Sequence, residues 1–539
     1  MRAIRAMKRL ERVAATLAAA GVLLVFGMGS TCPGTSNSAS FTNNRIQVTP
    51  VIATKSWRSP ALIDLSASNE ASAVLGAKYN NVSNVAGDGS TYPMAAAVAG
   101  NGSFHALFNR EDSANNFINL YAIQQTDVTS STWVQGLGSF TQLDAGLAAT
   151  AESHHPLAVT DGSGNVLSVA MTFAAAGNRI PYASIYNINN GYWGTYTAIG
   201  SAAIGASGLG SLAAAVDANN NKVVVWQQNS EAYFNEYRPN LGWRFTTSWA
   251  DADFEIAGDV VLDRGVDIGF DGYGNGYAAY VTNTPAIRTV RWRSDNVVRF
   301  STAGDTASSG TTGGGPYGYP KIFVAQNGEA VVFFYNDLVG TGAELWCSSA
   351  AATSSSTAVA FSTATQFGTS YGTGDVYALD LGGNVIPPVL ASSGDQAVLG
   401  FIKSDGVARR FYLFKYRSRC DWDYLGAIDS GGAGNDVYFG SLAINDDGTI
   451  AAVWSAASGG VERVYGNVYE GGVWKGVTLL DGGTNFQPTT LAGATPPDGL
   501  TRPKVVIDGS GNALALYSYN VQNTTIALTR RRAAAIFYR

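Results

Sequence analysis

The chain has 539 residues, of which 14% are charged and 11% are aromatic, and it contains 63 glycines. Low charge combined with abundant glycine and aromatic residues is typical of many short strands joined by tight turns. The formal charge of -6 provides no basic surface for nucleic acid, so nucleic-acid binding is excluded as a function class.

The first 31 residues have the features of an export signal. Basic residues between Arg2 and Arg12 precede an apolar run from Val13 to Met28, which is the order found in signal peptides. We expect residues 1–31 to be a cleaved signal peptide. A retained anchor is the alternative, although the run is slightly shorter than the roughly 20 residues of a spanning helix.

Cys32 follows Gly29-Ser30-Thr31, which resembles the lipobox of bacterial lipoproteins, although Gly29 and Thr31 depart from its usual residues. The resemblance implies that Cys32 is lipidated and that the protein lies at the outer membrane or cell surface. Simple secretion is the alternative. Residues 32–54 are rich in Ser, Thr and Asn and are predicted to be a flexible tether. We expect the protein to contact the membrane only through the lipid anchor.

Eight copies of one segment follow the tether. Each has the form apolar-Ala-Val-x-Asp-x-x-Gly-Asn followed by alternating apolar residues and an aromatic residue. Repeats 1 to 8 run from Met94 to Phe108, Leu157 to Phe173, Leu212 to Trp226, Ile268 to Tyr280, Ile322 to Phe334, Val389 to Phe401, Leu442 to Trp454 and Lys504 to Tyr517. Two runs of strand length around such a turn predict a β-hairpin. Turn carboxylates such as Asp161 and Asp508 are predicted to accept hydrogen bonds from backbone amides two residues on, which is a structural role.

A third alternating run and a fourth follow each hairpin. The fourth often begins with tryptophan, namely Trp133, Trp193, Trp243, Trp422 and Trp474, and Trp57 takes that place ahead of repeat 1. Four strands per repeat predict an all-β fold over residues 55–539, an eight-bladed β-propeller of four-stranded antiparallel blades. Because repeat 8 lacks a fourth run of its own, we expect the N-terminal strand from Trp57 to complete its blade and close the ring.

The pattern x-Pro-x-Val-Ala-x-Asp-x-x-Gly-Asn-Ala-x-Ala-Val-Trp resembles the repeats of exported bacterial β-propeller proteins, which are often lipoproteins. Its first hairpin is similar to NHL-type repeats, and the resemblance covers about residues 57–539. It implies architecture and export but no particular activity, since a fold does not imply a function. Repeats 5 and 6 depart from the pattern, with Ala325-Gln-Asn-Gly328 and Ser392-Ser-Gly-Asp395 in place of the Asp turn.

Cys347 and Cys420 form an even pair if Cys32 carries a lipid. In an oxidising compartment they could form a disulfide between neighbouring blades. Two separate thiols are the alternative, since the sequence does not show whether their Cα atoms approach within about 7 Å. Three cysteines without paired spacing predict no zinc site, and no other metal or cofactor is expected.

The mouth of the propeller channel is the candidate binding site. Tyr92, His155, Tyr319 and Arg502 each lie beside a proline at the start of an innermost strand, and His154 adjoins His155. Propeller symmetry should bring these residues to one rim. Aromatic and basic groups there could stack on sugars or anchor a protein partner.

We therefore expect a cell-surface or secreted binding or scaffold protein, with a carbohydrate or protein ligand and no catalytic residues. The alternative is a polysaccharide-acting glycoside hydrolase or lyase on the same scaffold. Paired carboxylates, or a His and Tyr pair within hydrogen-bonding distance at the channel mouth, would favour the alternative. The sequence singles out no such pair.

Overall fold

A computed structural model describes most of the chain from Lys55 onward. The described residues are 55–63, 94–111, 118–125, 140–148, 151–173, 179–200, 209–228, 230–244, 255–257, 260, 264–283, 286–293, 305–309, 311, 317–339, 342–352, 360–377, 386–429, 435–458, 461–482, 502–523 and 528–539. The regular elements in these ranges are β-strands, and the same ranges contain no helix that is long and apolar enough to cross a membrane. The predicted signal peptide, Cys32 and the tether lie outside them.

Each sequence repeat forms an antiparallel meander. One short strand, β1 (Ala61–Leu62), precedes them. Repeats 1 and 2 contain β2 (Met94–Val98), β3 (Phe104–Glu111), β4 (Ile118–Gln125), β5 (Phe140–Gln142), β6 (Glu152–Thr160), β7 (Val166–Phe173), β8 (Arg179–Asn187), β9 (Tyr192–Trp193) and β10 (Thr197–Ala198). Repeats 3 and 4 contain β11 (Leu209–Val216), β12 (Lys222–Gln228), β13 (Glu231–Arg238), β14 (Gly242–Trp243), β15 (Glu255–Ala257), β16 (Val266–Phe270), β17 (Asn275–Thr282), β18 (Ala286–Arg293) and β19 (Asp305–Thr306).

The second half of the chain continues in the same way. Repeats 5 and 6 contain β20 (Gly318–Val324), β21 (Ala330–Val339), β22 (Gly342–Ala350), β23 (Thr365–Gln366), β24 (Thr373–Tyr377), β25 (Val389–Ser393), β26 (Gln396–Ser404), β27 (Arg409–Ser418) and β28 (Asp421–Ala427). Repeats 7 and 8 contain β29 (Asn435–Ile444), β30 (Ile450–Ser458), β31 (Val461–Glu470), β32 (Val473–Trp474), β33 (Thr478–Leu479), β34 (Lys504–Ile507), β35 (Ala513–Asn523) and β36 (Leu528–Tyr538).

The first strand of each meander lies innermost. These strands are β2, β6, β11, β16, β20, β25, β29 and β34, and each contacts the innermost strand of the next repeat. Strand β34 also contacts β2. Antiparallel sheets of about four strands, set side by side with their first strands inward, are the arrangement of the β-propeller class.

Repeats 5 and 6 share one sheet, whereas the sequence predicts separate blades. Strand β24 pairs with β22 on one side and with β26 on the other. Cys347 on β22 and Cys420, in the turn between β27 and β28, are joined by a disulfide across the same two repeats, with their Cα atoms 5.9 Å apart. This sector is therefore held together both by backbone hydrogen bonds and by a covalent link.

The residues around Trp57 lie in the sheet of repeat 8. Strand β1 pairs antiparallel with β36 through Ala61 and Ala535, and Trp57 forms an isolated bridge with Tyr538. The backbone N–H of Ser56 donates to the carbonyl of Arg539 at 2.9 Å. The order of strands in this sheet is thus β1-β36-β35-β34.

The aspartates of the repeat are turn residues, as predicted. Asp161 Oδ1 accepts hydrogen bonds from the backbone amides of Ser163 and Asn165, at 2.9 Å each, and its Oδ2 accepts from Asn165 Nδ2 at 2.9 Å. The same pattern recurs at Asp217, Asp271 and Asp508. An aspartate followed four residues later by asparagine therefore builds the same turn in different repeats.

Neighbouring turns also contact one another. The N–H of Gly100 donates to the carbonyl of Gly164 at 3.1 Å, and Lys222 Nζ lies 2.6 Å from Asp161 Oδ2, with both side chains 1% exposed. Burial by itself would raise the pKa of Asp161, but the hydrogen bonds from Lys222 and Asn165 and the charge of Lys222 together outweigh it and lower this pKa. These contacts join repeat 1 to repeat 2 and repeat 2 to repeat 3.

Apolar side chains fill the space between meanders. Trp226 and Trp454, which close the repeat pattern in repeats 3 and 7, are 0% and 1% exposed. Trp226 belongs to a hydrophobic cluster with Val169 of repeat 2 and Val266 of repeat 4. The cores between consecutive repeats hold the meanders in fixed positions around the centre.

Candidate functional site

A cavity of about 330 Å³ lies between the innermost strands. We call it the axial cavity, because residues of each repeat contribute to its wall. The wall includes His155 and Pro156 in β6, Pro387 and Pro388 just before β25, and Lys504 at the start of β34. It also includes Val159, near the end of β6, so the cavity extends along the innermost strands.

One position of the repeat recurs in the wall. In repeats 1 to 5, 7 and 8 the hairpin turn is closed by a hydrogen bond from the N–H of its first residue to the carbonyl four residues on. Counting back four residues from the residue that donates this hydrogen bond gives one wall position in each of these repeats. The residues at this position all line the cavity; they are Ala95, Leu157, Ala213, Asp267, Lys321, Ser441 and Lys504. Repeat 6, whose turn is shorter, contributes Val389 and Leu390.

This layer has two chemically different halves. Repeats 1 to 3 place Ala95, Leu157 and Ala213 on the wall, and all three are apolar. Repeats 4, 5, 7 and 8 place Asp267, Lys321, Ser441 and Lys504 there. A pocket with an apolar wall and a few convergent polar groups is typical of small-molecule sites.

Two of the polar side chains also hold the neighbouring strand. Asp267 Oδ2 accepts a hydrogen bond from the backbone N–H of Ile322 at 3.0 Å, and Ser441 Oγ accepts one from the N–H of Val505 at 3.1 Å. In each case the donor belongs to the innermost strand of the next repeat. Asp267 and Ser441 therefore satisfy strand amides that would otherwise lack a strand partner, and each keeps further hydrogen-bonding capacity.

The charged groups of the cavity influence one another. Burial raises the pKa of Asp267, and the positive charge of Lys321 only partly opposes this effect. Burial, together with the smaller effect of the Lys321 charge, lowers the pKa of Lys504 to about 8. Two lysines and one carboxylate thus share a small volume in which the two positive charges repel each other.

The predicted rim residues have different surroundings. His155 lines the axial cavity, and its ring centroid lies 5.9 Å from that of His154. His154 is 2% exposed and meets Phe173 edge-on at 4.6 Å. Within the described part of the chain, His155 is the member of the predicted rim that belongs to the cavity wall.

Tyr319 and Arg502 occupy the same place in the repeat as His155 but point elsewhere. Tyr319 is 6% exposed and packs edge-on against Tyr335, with centroids 6.4 Å apart. The guanidinium of Arg502 lies over the ring of Phe439 at 4.5 Å. Tyr92 lies outside the described residues.

The sequence analysis missed Asp267, Lys321, Ser441 and Lys504. An alignment of the repeats on their hairpin turns would have found them, because the position four residues earlier is polar or charged in these repeats and apolar in repeats 1 to 3. Among the residues that the structure describes, no group of three or more His, Cys, Asp or Glu side chains is placed to hold a metal ion.

No described protein family matches this chain, and no curated protein matches it in sequence. Three solved structures are similar at low level. A lectin from Aleuria aurantia, crystallised with Fucα1-6GlcNAc, is 12% identical with a TM-score of 0.33, and the match covers 60% of this chain and 94% of the lectin. An ulvan lyase of polysaccharide lyase family PL25 is 13% identical with a TM-score of 0.36, and the match covers 59% of this chain and 80% of the lyase. The β-propeller domain of the Trilobed protease from Pyrococcus furiosus is 8% identical with a TM-score of 0.36, and the match covers 67% of this chain and 91% of that domain. At these values neither a ligand nor a reaction is carried over to this chain.

Proposed function

We propose that residues 55–539 form one eight-bladed β-propeller and that it binds a small ligand, or a terminal group of a larger one, in the axial cavity. The circle of contacts among the innermost strands supports eight blades, with repeats 5 and 6 as two blades linked by β24. The pairing of β1 with β36 supports closure by the N-terminal strand. Each repeat then supplies one wall segment.

The mixed wall of the axial cavity carries this proposal. Its volume of about 330 Å³ is at the lower end of the roughly 300 to 1,000 Å³ of small-molecule sites. That size suits a single sugar or a similar group better than the surface of a folded protein. Of the two ligand classes predicted from the sequence, we therefore favour carbohydrate.

A cavity-filling variant tests the site. Leu157 shows that leucine occupies this wall position in repeat 2, so Ala213→Leu at the same position of repeat 3 should narrow the cavity. Wild type and variant would be compared on a glycan array, with Ala218→Leu in an exposed turn as the matched control. We expect the filled variant to lose the signals that wild type and control share. Unchanged signals from a folded variant would place the ligand elsewhere.

We also propose that the protein is exported and is lipidated at Cys32. The support is the sequence of residues 1–32 alone. Metabolic labelling with a fatty acid in a bacterial host should mark the wild type and fail to mark Cys32→Ser. Equal labelling of both would leave secretion without a lipid anchor.

A lyase is the second candidate, because the wall of the axial cavity includes an amine of lowered pKa, Lys504, and a carboxyl of raised pKa, Asp267. Neutral Lys504 could take a proton from a sugar carbon while protonated Asp267 supplies one to the departing glycosidic oxygen. A carbon–carbon double bond then forms as the carbon–oxygen bond breaks. Ultraviolet absorbance from unsaturated sugar products would identify this activity, and its absence with acidic polysaccharides that bind would exclude it.

A further inference from the structure

The charged positions of the axial cavity are unevenly distributed around it. Asp267 and Lys321 come from adjacent repeats, whereas Lys504 comes from repeat 8, whose neighbours contribute Ser441 and Ala95. Among the wall residues that the structure describes, two positive charges and one negative charge give an excess of positive charge. At this position of the wall, the repeats on either side of Lys504 contribute a hydroxyl group, from Ser441, and a methyl group, from Ala95.

An ammonium and a hydroxyl on neighbouring strands match the needs of a carboxylate. Lys504 can donate up to three hydrogen bonds, and the Ser441 hydroxyl, which accepts from Val505, still has its own proton to donate. A bound anion would also reduce the repulsion between Lys504 and Lys321, which lowers the pKa of Lys504 in the absence of ligand. The apolar half of the wall would contact the uncharged face of the ligand.

We propose that the axial cavity selects a carboxylate-bearing ligand, of which an acidic sugar is the form suited to its size, and that Lys504, Lys321 and Ser441 bind the acid group. This inference rests on the proposed function, because it names the ligand class of the same cavity. It makes the cavity selective for acids, which the proposal of carbohydrate binding alone does not require.

Competitive acetylation of lysines, followed by mass spectrometry, tests the inference on the wild-type protein with simple acids and sugars as probes. Labelling with trace acetic anhydride across pH 6 to 10 reports the pKa of each lysine. The probes are glucuronate, glucose as the neutral sugar with the same ring, and benzoate as a carboxylate without a sugar. In the described part of the chain, the wall residues that can titrate or carry charge are His155, Asp267, Lys321 and Lys504.

We expect Lys504 to react at lower pH than the exposed Lys475, and glucuronate to slow its labelling while glucose does not. Benzoate distinguishes the sources of the effect, because protection by both acids shows a general carboxylate site and protection by glucuronate alone shows recognition of the sugar as well. Both outcomes support the inference. Equal protection by glucose and glucuronate would overturn the inference and leave the proposed function intact. Absence of protection by either acid would also overturn the inference.

Variants of Lys321 give an independent test. Lys321→Met should raise the pKa of Lys504 toward its ordinary value and weaken glucuronate binding by about tenfold, the factor expected from one charge-assisted hydrogen bond. Lys321→Arg should retain most of the binding, because it keeps the charge. Lys475→Met, at an exposed position, is the matched control. If Lys321→Met binds glucuronate as tightly as Lys475→Met does, the inference is wrong.

Discussion

His105 is a buried histidine in the interface between repeats 1 and 2. Its side chain is 0% exposed, its Nε2 lies 3.2 Å from Ser103 Oγ, and its ring lies 4.3 Å from that of Tyr186. Burial lowers the pKa of His105 from 6.5 to about 4. These contacts give the His105 ring a structural role, and protonation of the ring must destabilise the fold.

This histidine should make stability depend on pH. Between pH 6.5 and 4 the unfolded chain binds a proton at His105 and the folded chain does not, so stability is fully present above pH 6.5 and falls as the pH approaches 4. The expected loss is about 3 kcal/mol. In urea denaturation at several pH values, the unfolding free energy of His105→Phe should change less with pH between 6.5 and 4 than that of the wild type. An equal change in both proteins would assign the pH dependence to other groups.

At this scale the sequence predicted backbone roles better than side-chain directions. The turn role of Asp161 followed from its place in a hairpin, because the turn itself determines which amides its carboxylate meets. His155 and Tyr319 share a place in the repeat, yet one lines the cavity and the other packs into the core. Sequence position sets where a Cα lies, whereas the rotamer depends on neighbours that only the folded structure specifies.

At the scale of elements, the turns of repeats 1 and 2 are in very close contact. Gly164 has φ of +87°, and a Cβ built on it would lie 2.5 Å from the Cα of Gly100. Gly102 has a similar φ of +80° but has nothing within 4 Å of such a Cβ. The two glycines therefore separate the cost of a positive φ from the cost of a steric clash.

Alanine substitutions should measure these two costs. Gly102→Ala should lower the free energy of unfolding by about 1 to 2 kcal/mol, the cost of a left-handed backbone. Gly164→Ala should lose a further 1 to 3 kcal/mol, roughly, from overpacking. Chemical denaturation of both variants provides the comparison. Equal losses would show that the turns can move apart without cost.

The sector of repeats 5 and 6 should depend on its disulfide. Cys347 and Cys420 are 73 residues apart, and closing a loop of that length in the unfolded chain corresponds to about 4 kcal/mol in the chain-entropy estimate. Cys347→Ala combined with Cys420→Ala should therefore lower unfolding free energy by about 2 to 4 kcal/mol. Reducing agent should lower the unfolding free energy of the wild type to that of the double variant and leave the double variant unchanged. An effect of the reductant on the double variant would contradict this account.

On the scale of the whole molecule, strand β1 covers the outer edge of β36. A chain that begins at residue 64 lacks that strand and the contact of Trp57 with Tyr538, whose ring centroids are 5.4 Å apart. Compared with a chain that begins at residue 54, we expect it to melt roughly 5 °C lower and to associate as concentration rises, because an uncovered strand edge can pair with another molecule. Differential scanning calorimetry and light scattering measure both effects, and identical behaviour would show that the pairing of β1 with β36 contributes nothing to stability or solubility.

The sequence predicted the whole-molecule class more readily than the links between sheets. Repeat length and turn residues point to an all-β fold of four-stranded meanders, because each repeat encodes its own hairpin. Strand β24 lies between repeats 5 and 6 and resembles no part of the consensus, so its pairing with both neighbours was not predicted. Contacts between repeats depend on residues that differ from one copy to the next.

The hydrogen bond between Ser56 and Arg539 means that the two ends of the propeller lie next to each other. A short linker could join them, and the chain could then be cut between any two repeats to give a circular permutant that starts with a different meander. In such a protein the order of the repeats around the circle would be preserved, although their order along the gene would change.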